Sequence, residues 1–202
     1  MGEFFISSDL GQVNDYTAIT IFESFLKDSG AEYHLRHIER PERGTTYPAI
    51  VDRIKELATS RQLAESYKTV AIDVTGCGRP VWDLLKQSFR GTYARLKGIS
   101  ITGGNTVTEE NNIINVPKRD LVSALQVAFQ NKQLKIAPGL PEADTLIKEL
   151  TNFKVKININ GHDQYEAWRE GIHDDIVLSA TMGVWLASQF YRSHSWSKNL
   201  IA

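Results

Sequence analysis

Two short apolar runs that each end on an aspartate limit the fold of this chain more than any other feature. FFISS leads to Asp9, and TVAI leads to Asp73. Both runs are rich in β-branched or aromatic residues and are followed by loops that contain glycine, which is typical of buried strands. Open α/β sheets keep their sites at the carboxyl ends of such strands. The sequence therefore predicts an α/β sheet with acidic side chains along one edge.

A third acidic position opens the last helix of the chain. His173, Asp174 and Asp175 precede IVLSATMGVWLAS, a stretch that is apolar on almost every side and is therefore predicted to form a buried helix. One carboxylate is enough to cap a helix and complement its dipole, so the second indicates a functional site. His173 is a candidate metal ligand, although a packing or supporting role is the favoured interpretation.

Carboxylates gathered in one place cannot all stay ionised without a positive charge between them. Oxygen ligands of this kind suit one or two hard divalent cations, so the chain is a candidate metal-dependent enzyme. A simpler interpretation also exists, because DxG is a common turn sequence and Asp73 can bond the backbone amides that follow it. Asp15 is interpreted as a turn residue, and Cys77 as a small packed residue, since no histidine is nearby in sequence.

The composition is that of one ordinary globular domain. The chain has 202 residues, of which 42% are hydrophobic and 23% charged, so neither disorder nor a fibrous repeat is indicated. No apolar run suggests a membrane span, and no signal peptide is expected. The single cysteine excludes an internal disulfide and fits a reducing compartment. A net charge of −1 gives no global sign of nucleic-acid binding, and the start of the chain suggests a domain cut from a longer protein.

Hydrophobic periodicity predicts the order βββαβαβ followed by helices, with the first three strands antiparallel. Strands are predicted at Phe4–Ser8, Thr17–Phe25 and Glu32–Glu39, before Asp73, and at Ala94–Ile101 and Leu134–Ile136. Helices are predicted from Pro48, over Arg79–Phe89, from Pro117, over Pro141–Phe153, and after His173. The Asn-rich segment Gly103–Val116 is predicted to be an irregular loop. A late β-hairpin is predicted from Val155–Ile159 and Tyr165–Glu170.

Basic residues are clustered along the chain. One 19-residue stretch, opposed only by Asp83, contains Arg79, Lys86, Arg90, Arg95 and Lys97. Lys118 and Arg119 stand at the start of a predicted helix. Such residues usually form a solvated face, but beside a carboxylate cluster they are candidates for holding a phosphodiester backbone.

Four segments taken in order resemble a known family. They are DLGQVNDYTA, AIDVTGCGRPVWDLL, VPKRDLVSAL and GIHDDIVLSA, and together they extend over nearly the whole chain. The pattern resembles the RNase H-like superfamily and, more closely, the nuclease domain of the tailed-bacteriophage large terminase subunit. The resemblance implies an RNase H-like mixed α/β sheet flanked by helices.

The resemblance also implies a metal-dependent endonuclease that hydrolyses double-stranded DNA with little sequence specificity. The family's metal ligands carry over to Asp9, Asp73 and the Asp174/Asp175 pair. In the implied mechanism Asp9 bridges two Mg²⁺ or Mn²⁺ ions, Asp73 completes the shell of one ion, and Asp175 that of the other. Adjacent residues of a helix point about 100° apart, and Asp174 is better placed as a cap, so Asp175 is favoured as the direct ligand.

The remaining residues and partners follow from the same resemblance. Lys118 or Arg119 would steady the phosphate, and Arg79 and Arg90 are further candidate DNA contacts. The implied partners are an upstream ATPase domain, a portal and a small terminase subunit, in the cytoplasm of an infected host cell. The chain has no GxxxxGK[ST] segment, so the nucleotide site is not expected here. Residues 193–202 are predicted to be a flexible tail.

Three alternatives stay open from the sequence. A Holliday-junction resolvase or transposase-like nuclease would share the fold and the metals but act on another substrate. An actin/hexokinase-type ATPase also begins with DxG on a strand, but it requires a longer chain. A degenerate RNase H-like domain would dock a partner without catalysis, and the three acidic positions argue against it.

Overall fold

The computed structural model describes residues 2–11, 15–28, 30–76, 78–159 and 174–198, which form a mixed α/β sheet with flanking helices. The strands are β1 Glu3–Asp9, β2 Ala18–Lys27, β3 Gly30–Glu39, β4 Lys68–Asp73, β5 Arg95–Thr102, β6 Thr108–Glu110, β7 Ile113–Pro117 and β8 Leu134–Ile136. The helices are α1 Tyr47–Ala58, α2 Gly78–Ser88, α3 Lys118–Gln130, α4 Ala143–Ile159 and α5 Asp175–Lys198. None of the described helices has the length and hydrophobicity of a membrane span.

The eight strands lie in the order β6-β7-β5-β4-β1-β2-β3-β8. β1, β2 and β3 are antiparallel neighbours, as predicted. β4 pairs in parallel with β1, β5 with β4, and β7 with β5. The carboxyl ends of β1, β4, β5 and β7 therefore meet at one edge of the sheet, which we call the carboxyl edge.

Two hydrophobic cores cover the two faces of the sheet. Because successive side chains of β1 point to opposite faces of the sheet, Phe5 lies in the core beneath α3 and α5, and Ile6 lies in the core beneath α1 and α2. Each flanking helix buries one apolar stripe, such as Ile50 and Ile54 of α1. α5 differs, because its first half is buried almost completely, which confirms the prediction from its sequence.

Small side chains let α5 lie close against β1 and β2. Ser7 Oγ donates a hydrogen bond to the Ser179 carbonyl at 2.7 Å, and Ser179 Oγ donates to the Ser7 carbonyl at 2.8 Å. The hydroxyl of Thr20 lies 3.0 Å from Ser7 Oγ and 2.9 Å from Ser179 Oγ. One turn further, a Cβ atom on Gly183 would lie 2.8 Å from both Ser7 Oγ and the Phe22 ring. These contacts fix the position of α5 along β1.

Two predictions about secondary structure are wrong. The segment Gly103–Val116 is not irregular throughout, because β6 and β7 form a hairpin within it. Its two-residue turn is Asn111-Asn112, with φ of 53° and 63°, and asparagine tolerates this left-handed conformation better than most residues. The predicted strand Val155–Ile159 is instead the end of α4. Its predicted partner, Tyr165–Glu170, lies outside the described residues.

The other predicted elements agree with the structure to within a few residues. β7 ends on Pro117, so α3 begins one residue later than predicted. α5 extends to Lys198 and so includes the first part of the predicted tail. The flexibility of residues 193–202 stays a prediction.

Gly183→Ala should destabilise the protein. The added methyl group would meet Ser7 and Phe22, and overpacking of this kind costs roughly 1–3 kcal/mol, whereas alanine gains only about 1 kcal/mol of helix propensity over glycine. The free energy of unfolding in urea is the measurement. Gly103→Ala is the control, because a Cβ atom there meets nothing within 4 Å. Equal stability of the two variants would contradict the proposed close packing of α5.

Candidate active site

Asp9 and Asp73 lie side by side at the carboxyl edge of the sheet. β1 and β4 are parallel neighbours whose register pairs Ser8 with Ile72, so the two aspartates follow at the next position of the register. Because alternate residues of a strand share a face, both side chains point to the face that carries α5. They are 9% and 6% exposed. The structure therefore brings together the two aspartates that end the apolar runs.

α5 brings Asp175 to the same edge. Asp175 lies one helical turn, about 6 Å, before Ser179, and Asp9 lies two strand residues, about 6.6 Å, beyond Ser7. Because Ser179 and Ser7 are hydrogen-bonded to each other, Asp175 is carried to the level of Asp9. Asp175 is 6% exposed.

Asp174 occupies a different position at the same helix end. It is partly exposed and precedes the first helical residue, and its carbonyl accepts a hydrogen bond from the Leu178 amide at 2.9 Å. This is the position of an N-cap residue. The geometry thus supports Asp175 rather than Asp174 as the residue that faces the sheet, and the ligand roles of both stay predictions.

Protein groups contact the carboxylates of Asp73 and Asp175. Asp73 Oδ1 accepts a hydrogen bond from the Thr75 amide at 2.7 Å, which is the Asx-type turn expected from the simpler interpretation of this motif. Asp175 Oδ2 lies 3.6 Å from Arg40 Nη2. Within the described residues no three His, Cys, Asp or Glu side chains are grouped closely enough to hold a metal ion.

The donor set nevertheless fits a divalent cation in its chemistry. Asp9, Asp73 and Asp175 supply oxygen atoms, as Mg²⁺ and Mn²⁺ prefer, and all three are buried at one edge of the sheet. A cation that took Asp73 Oδ1 or Asp175 Oδ2 as a ligand would replace their present contacts with Thr75 and Arg40.

Glu149 of α4 is a site residue that the sequence reasoning missed. It is 6% exposed, and its Oε2 accepts a hydrogen bond from the Val177 amide at 3.1 Å, so it caps the first turn of α5. Its Oε1 is buried without a hydrogen-bond partner among the described residues. The pKa of Glu149 is raised to about 7, mainly by burial. The hydrogen bond from Val177 and the charge of Arg40 act to lower this pKa, whereas the charges of Asp175 and Asp174 act to raise it.

Arg40 was also missed, although the sequence contained a signal for it. It directly follows β3, which runs in the same direction as β1, so its place at the carboxyl edge follows from the strand order. Its guanidinium carbon lies 4.0 Å from the centre of the Tyr16 ring. Arg43 lies 4.5 Å from the same ring and donates a hydrogen bond to the Tyr16 hydroxyl at 3.0 Å.

The basic residues of the sequence cluster do not share one surface. Arg79 begins α2 and Lys118 begins α3, so both are at the carboxyl edge with Arg119. Arg90 follows the end of α2 and lies toward the opposite edge.

The other members of the cluster have partners within the protein. Lys86 pairs with Asp83 and Lys97 with Glu109, while Arg95 lies over the Phe190 ring. Of the predicted basic residues, Arg79, Lys118 and Arg119 are those that lie at the carboxyl edge.

The residues that were predicted from the sequence to be structural do not belong to the group of Asp9, Asp73 and Asp175. Asp15 is exposed in the loop after Asp9. A Cβ atom on Gly11 would lie 2.3 Å from the Tyr16 carbonyl carbon, so the close crossing of this loop requires glycine. Cys77 and His173 lie outside the described residues.

Sequence comparison assigns the family. A family model described as the terminase RNaseH-like domain matches residues 6–184, most of the chain. The chain belongs to this family. The match extends from β1 to α5 and so includes all the acidic positions described above. No curated protein matches the chain significantly.

Solved structures of terminase nuclease domains share the fold of this family member. The human cytomegalovirus domain, Mn soaked and inhibitor bound, aligns with a TM-score of 0.59 and 13% identity over 91% of this chain and 82% of that chain. A mutant nuclease domain of the large terminase subunit gp2 of bacterial virus Sf6, with manganese and β-thujaplicinol, aligns with a TM-score of 0.57 and 12% identity over 90% and 87%. The predicted RNase H-like fold and the resemblance to terminase nuclease domains are confirmed.

Glu149→Gln should flatten the pH dependence of stability. Because the pKa of folded Glu149 is raised from 4.5 to about 7, the folded protein keeps a proton that the unfolded chain releases, and stability falls as the pH rises through that range. Glutamine keeps an oxygen for the Val177 amide and does not titrate. The loss of unfolding free energy between about pH 5 and pH 8 should shrink by roughly 1–3 kcal/mol. Exposed Glu110→Gln should leave the loss unchanged.

Proposed function

We propose that this terminase family member is a metal-dependent endonuclease that cuts double-stranded DNA with little sequence specificity during viral genome packaging. The observation that carries the proposal is the placement of Asp9, Asp73 and Asp175, buried together at the carboxyl edge of an RNase H-like sheet. Membership of the terminase RNaseH-like family over residues 6–184 supports the same conclusion.

Asp9, Asp73 and Asp175 would hold two Mg²⁺ or Mn²⁺ ions, with Asp174 beside them. Such ions act as Lewis acids on a phosphodiester and favour its hydrolysis by water. The protein contributes the rigid placement of the carboxylates, because β1, β4 and α5 are locked to one another by register and hydrogen bonds. The burial of the three side chains keeps bulk water from competing with them for a cation.

The DNA backbone would lie along the carboxyl edge. Arg79, Lys118 and Arg119 are positioned at this edge by the starts of α2 and α3, and phosphate contacts of this kind position DNA without reading its sequence. The Arg119 side chain donates a hydrogen bond to the Asn105 carbonyl at 3.2 Å, which orients it beside the loop after β5. Because the chain has a net charge of −1, its binding to DNA should be weak and strongly dependent on salt.

The wider setting is proposed from the family. The domain would work with an ATPase domain, a portal and a small terminase subunit, as part of a bacteriophage packaging motor in the host-cell cytoplasm. A resolvase or transposase-like nuclease would use the same carboxylates, and cleavage of linear duplex DNA in preference to four-way junctions would separate the terminase role from it.

Asp9→Asn, Asp73→Asn and Asp175→Asn should each reduce cleavage at least about a hundredfold, because each removes a charged metal ligand. Plasmid nicking by chelator-stripped protein, with Mn²⁺ added back, is the measurement. Calcium should support little turnover, since its loose coordination positions reactants poorly. The control is Asp15→Asn, an exposed residue of the same loop, which should keep its activity. Full nicking in the presence of EDTA would remove metal from the proposal.

Arg79→Glu should weaken DNA binding for all sequences alike, because it places a like charge beside the phosphates at the carboxyl edge. The matched control is Arg90→Glu, eleven residues later and beyond the other end of α2, which should change the affinity much less. Fluorescence anisotropy with two unrelated duplexes, at two salt concentrations, measures both effects. A sequence-dependent loss would instead assign base reading to Arg79.

A further inference from the structure

Arg40 lies within a buried acidic group at the carboxyl edge. Its side chain is 12% exposed, with Nη2 at 3.6 Å from Asp175 Oδ2 and Nη1 at 3.8 Å from a Glu142 carboxylate oxygen. The same guanidinium stacks on the Tyr16 ring. Its Nε is buried without a hydrogen-bond partner among the described residues. Arg40 is therefore held in place by charge and stacking more than by hydrogen bonds.

Arg40 lies among acidic side chains. Asp175 and Glu142 pair with it, and the charge of Arg40 also acts on Glu149, which Asp174 and Asp175 influence as well. Ionised carboxylates at this density need a nearby cation. In the metal-free protein, Arg40 supplies that positive charge to Asp175.

Glu142 has an unusual backbone conformation. Its backbone has a φ of 61°, a left-handed conformation that a long side chain rarely adopts and that persists only where the surroundings hold it. The Glu142 carbonyl accepts a hydrogen bond from the Leu146 amide at 2.9 Å, and its carboxylate lies 3.8 Å from Arg40 Nη1. Arg40 thus has a second carboxylate, as well as the Tyr16 ring, to remain against when Asp175 turns away.

A guanidinium and a divalent cation repel each other when both lie against one carboxylate. We propose that Arg40 is a built-in counter-ion of the metal site: it holds Asp175 in place in the metal-free protein and lowers the affinity of the site for divalent cations. Arg40 is thus a positioning residue that acts through Asp175. This inference rests on the proposed function, because it assumes that Asp175 is a metal ligand.

Two measurements on Arg40→Gln test the proposal. Calorimetric titration of Mn²⁺ into chelator-stripped protein should show affinity roughly tenfold tighter than wild type, because the repelling charge is gone. The melting temperature in EDTA should fall, because Asp175 loses its counter-ion, and Mn²⁺ should raise it more than in wild type. Arg40→Lys keeps the charge and should remain within about threefold of wild-type affinity.

Arg43→Gln is the matched control. Arg43 stacks on the same tyrosine ring and lies three residues away, so its removal changes the net charge equally without touching Asp175. Its Mn²⁺ affinity should stay within about twofold of wild type. Unchanged or weaker binding by Arg40→Gln overturns the proposal, as does equal tightening by Arg40→Lys or by Arg43→Gln.

A second variant covers the case in which Arg40→Gln does not fold. Glu142→Gln, at a side chain 37% exposed, should let Arg40 press more closely on Asp175 and weaken Mn²⁺ binding by roughly threefold. Glu42→Gln, which removes a carboxylate from the β3–α1 loop, is its control and should have a smaller effect. Equal effects of the two variants overturn the counter-ion role. Absence of Mn²⁺ binding by the wild-type protein instead contradicts the proposed function, and the counter-ion role with it.

Discussion

The hydrogen bonds between α5 and β1 are the interaction on which the rest of the site depends. The hydroxyls of Ser7, Thr20 and Ser179 are fully buried and bond to one another or to the adjacent carbonyls. A buried polar network is costly when any member loses its partner, so α5 cannot slide or rotate against the strand without a penalty. Since Asp175 lies one turn from Ser179 and Asp9 two residues from Ser7, this one contact sets the relation between the acidic residues of helix and strand.

Burying several carboxylates close to one another is electrostatically unfavourable, and other groups of the protein have to offset this cost before any ligand binds. The structure meets it with separate protein groups: amide hydrogen bonds from Thr75 to Asp73 and from Val177 to Glu149, and the charge of the Arg40 guanidinium beside Asp175. Burial, and to a lesser extent the charges of Asp175 and Asp174, still raise the pKa of Glu149. If the site holds metal as proposed, a divalent ion would relieve repulsion that the protein groups only reduce.

The parts that sequence reasoning predicted are those governed by local pattern. Alternation and the strand-end position were enough to place Asp9 and Asp73, and the apolar sequence of α5 was enough to predict its burial. The β6–β7 hairpin was missed because β6 is only three residues long, exposed and polar, so that the Asn111-Asn112 turn is the main local mark of the pairing. Val155–Ile159 alternates like a strand, yet it continues α4. Glu149 was unpredictable because its role depends on the approach of α4 to α5, which no local pattern encodes.

The helix periodicity of α5 joins the fold and the site in one argument. Asp175, Ser179, Gly183 and Ala187 recur every four residues and so share one face of the helix. The last three are small, and Ser179 and Gly183 bring the backbone against β1 and β2. The face of α5 that needs small side chains for packing is therefore also the face on which Asp175 reaches the sheet. Asp174 is turned about 100° from this face. The first turn of α5 also presents the positive end of its dipole to the carboxyl edge, which makes the gathered carboxylates easier to keep ionised.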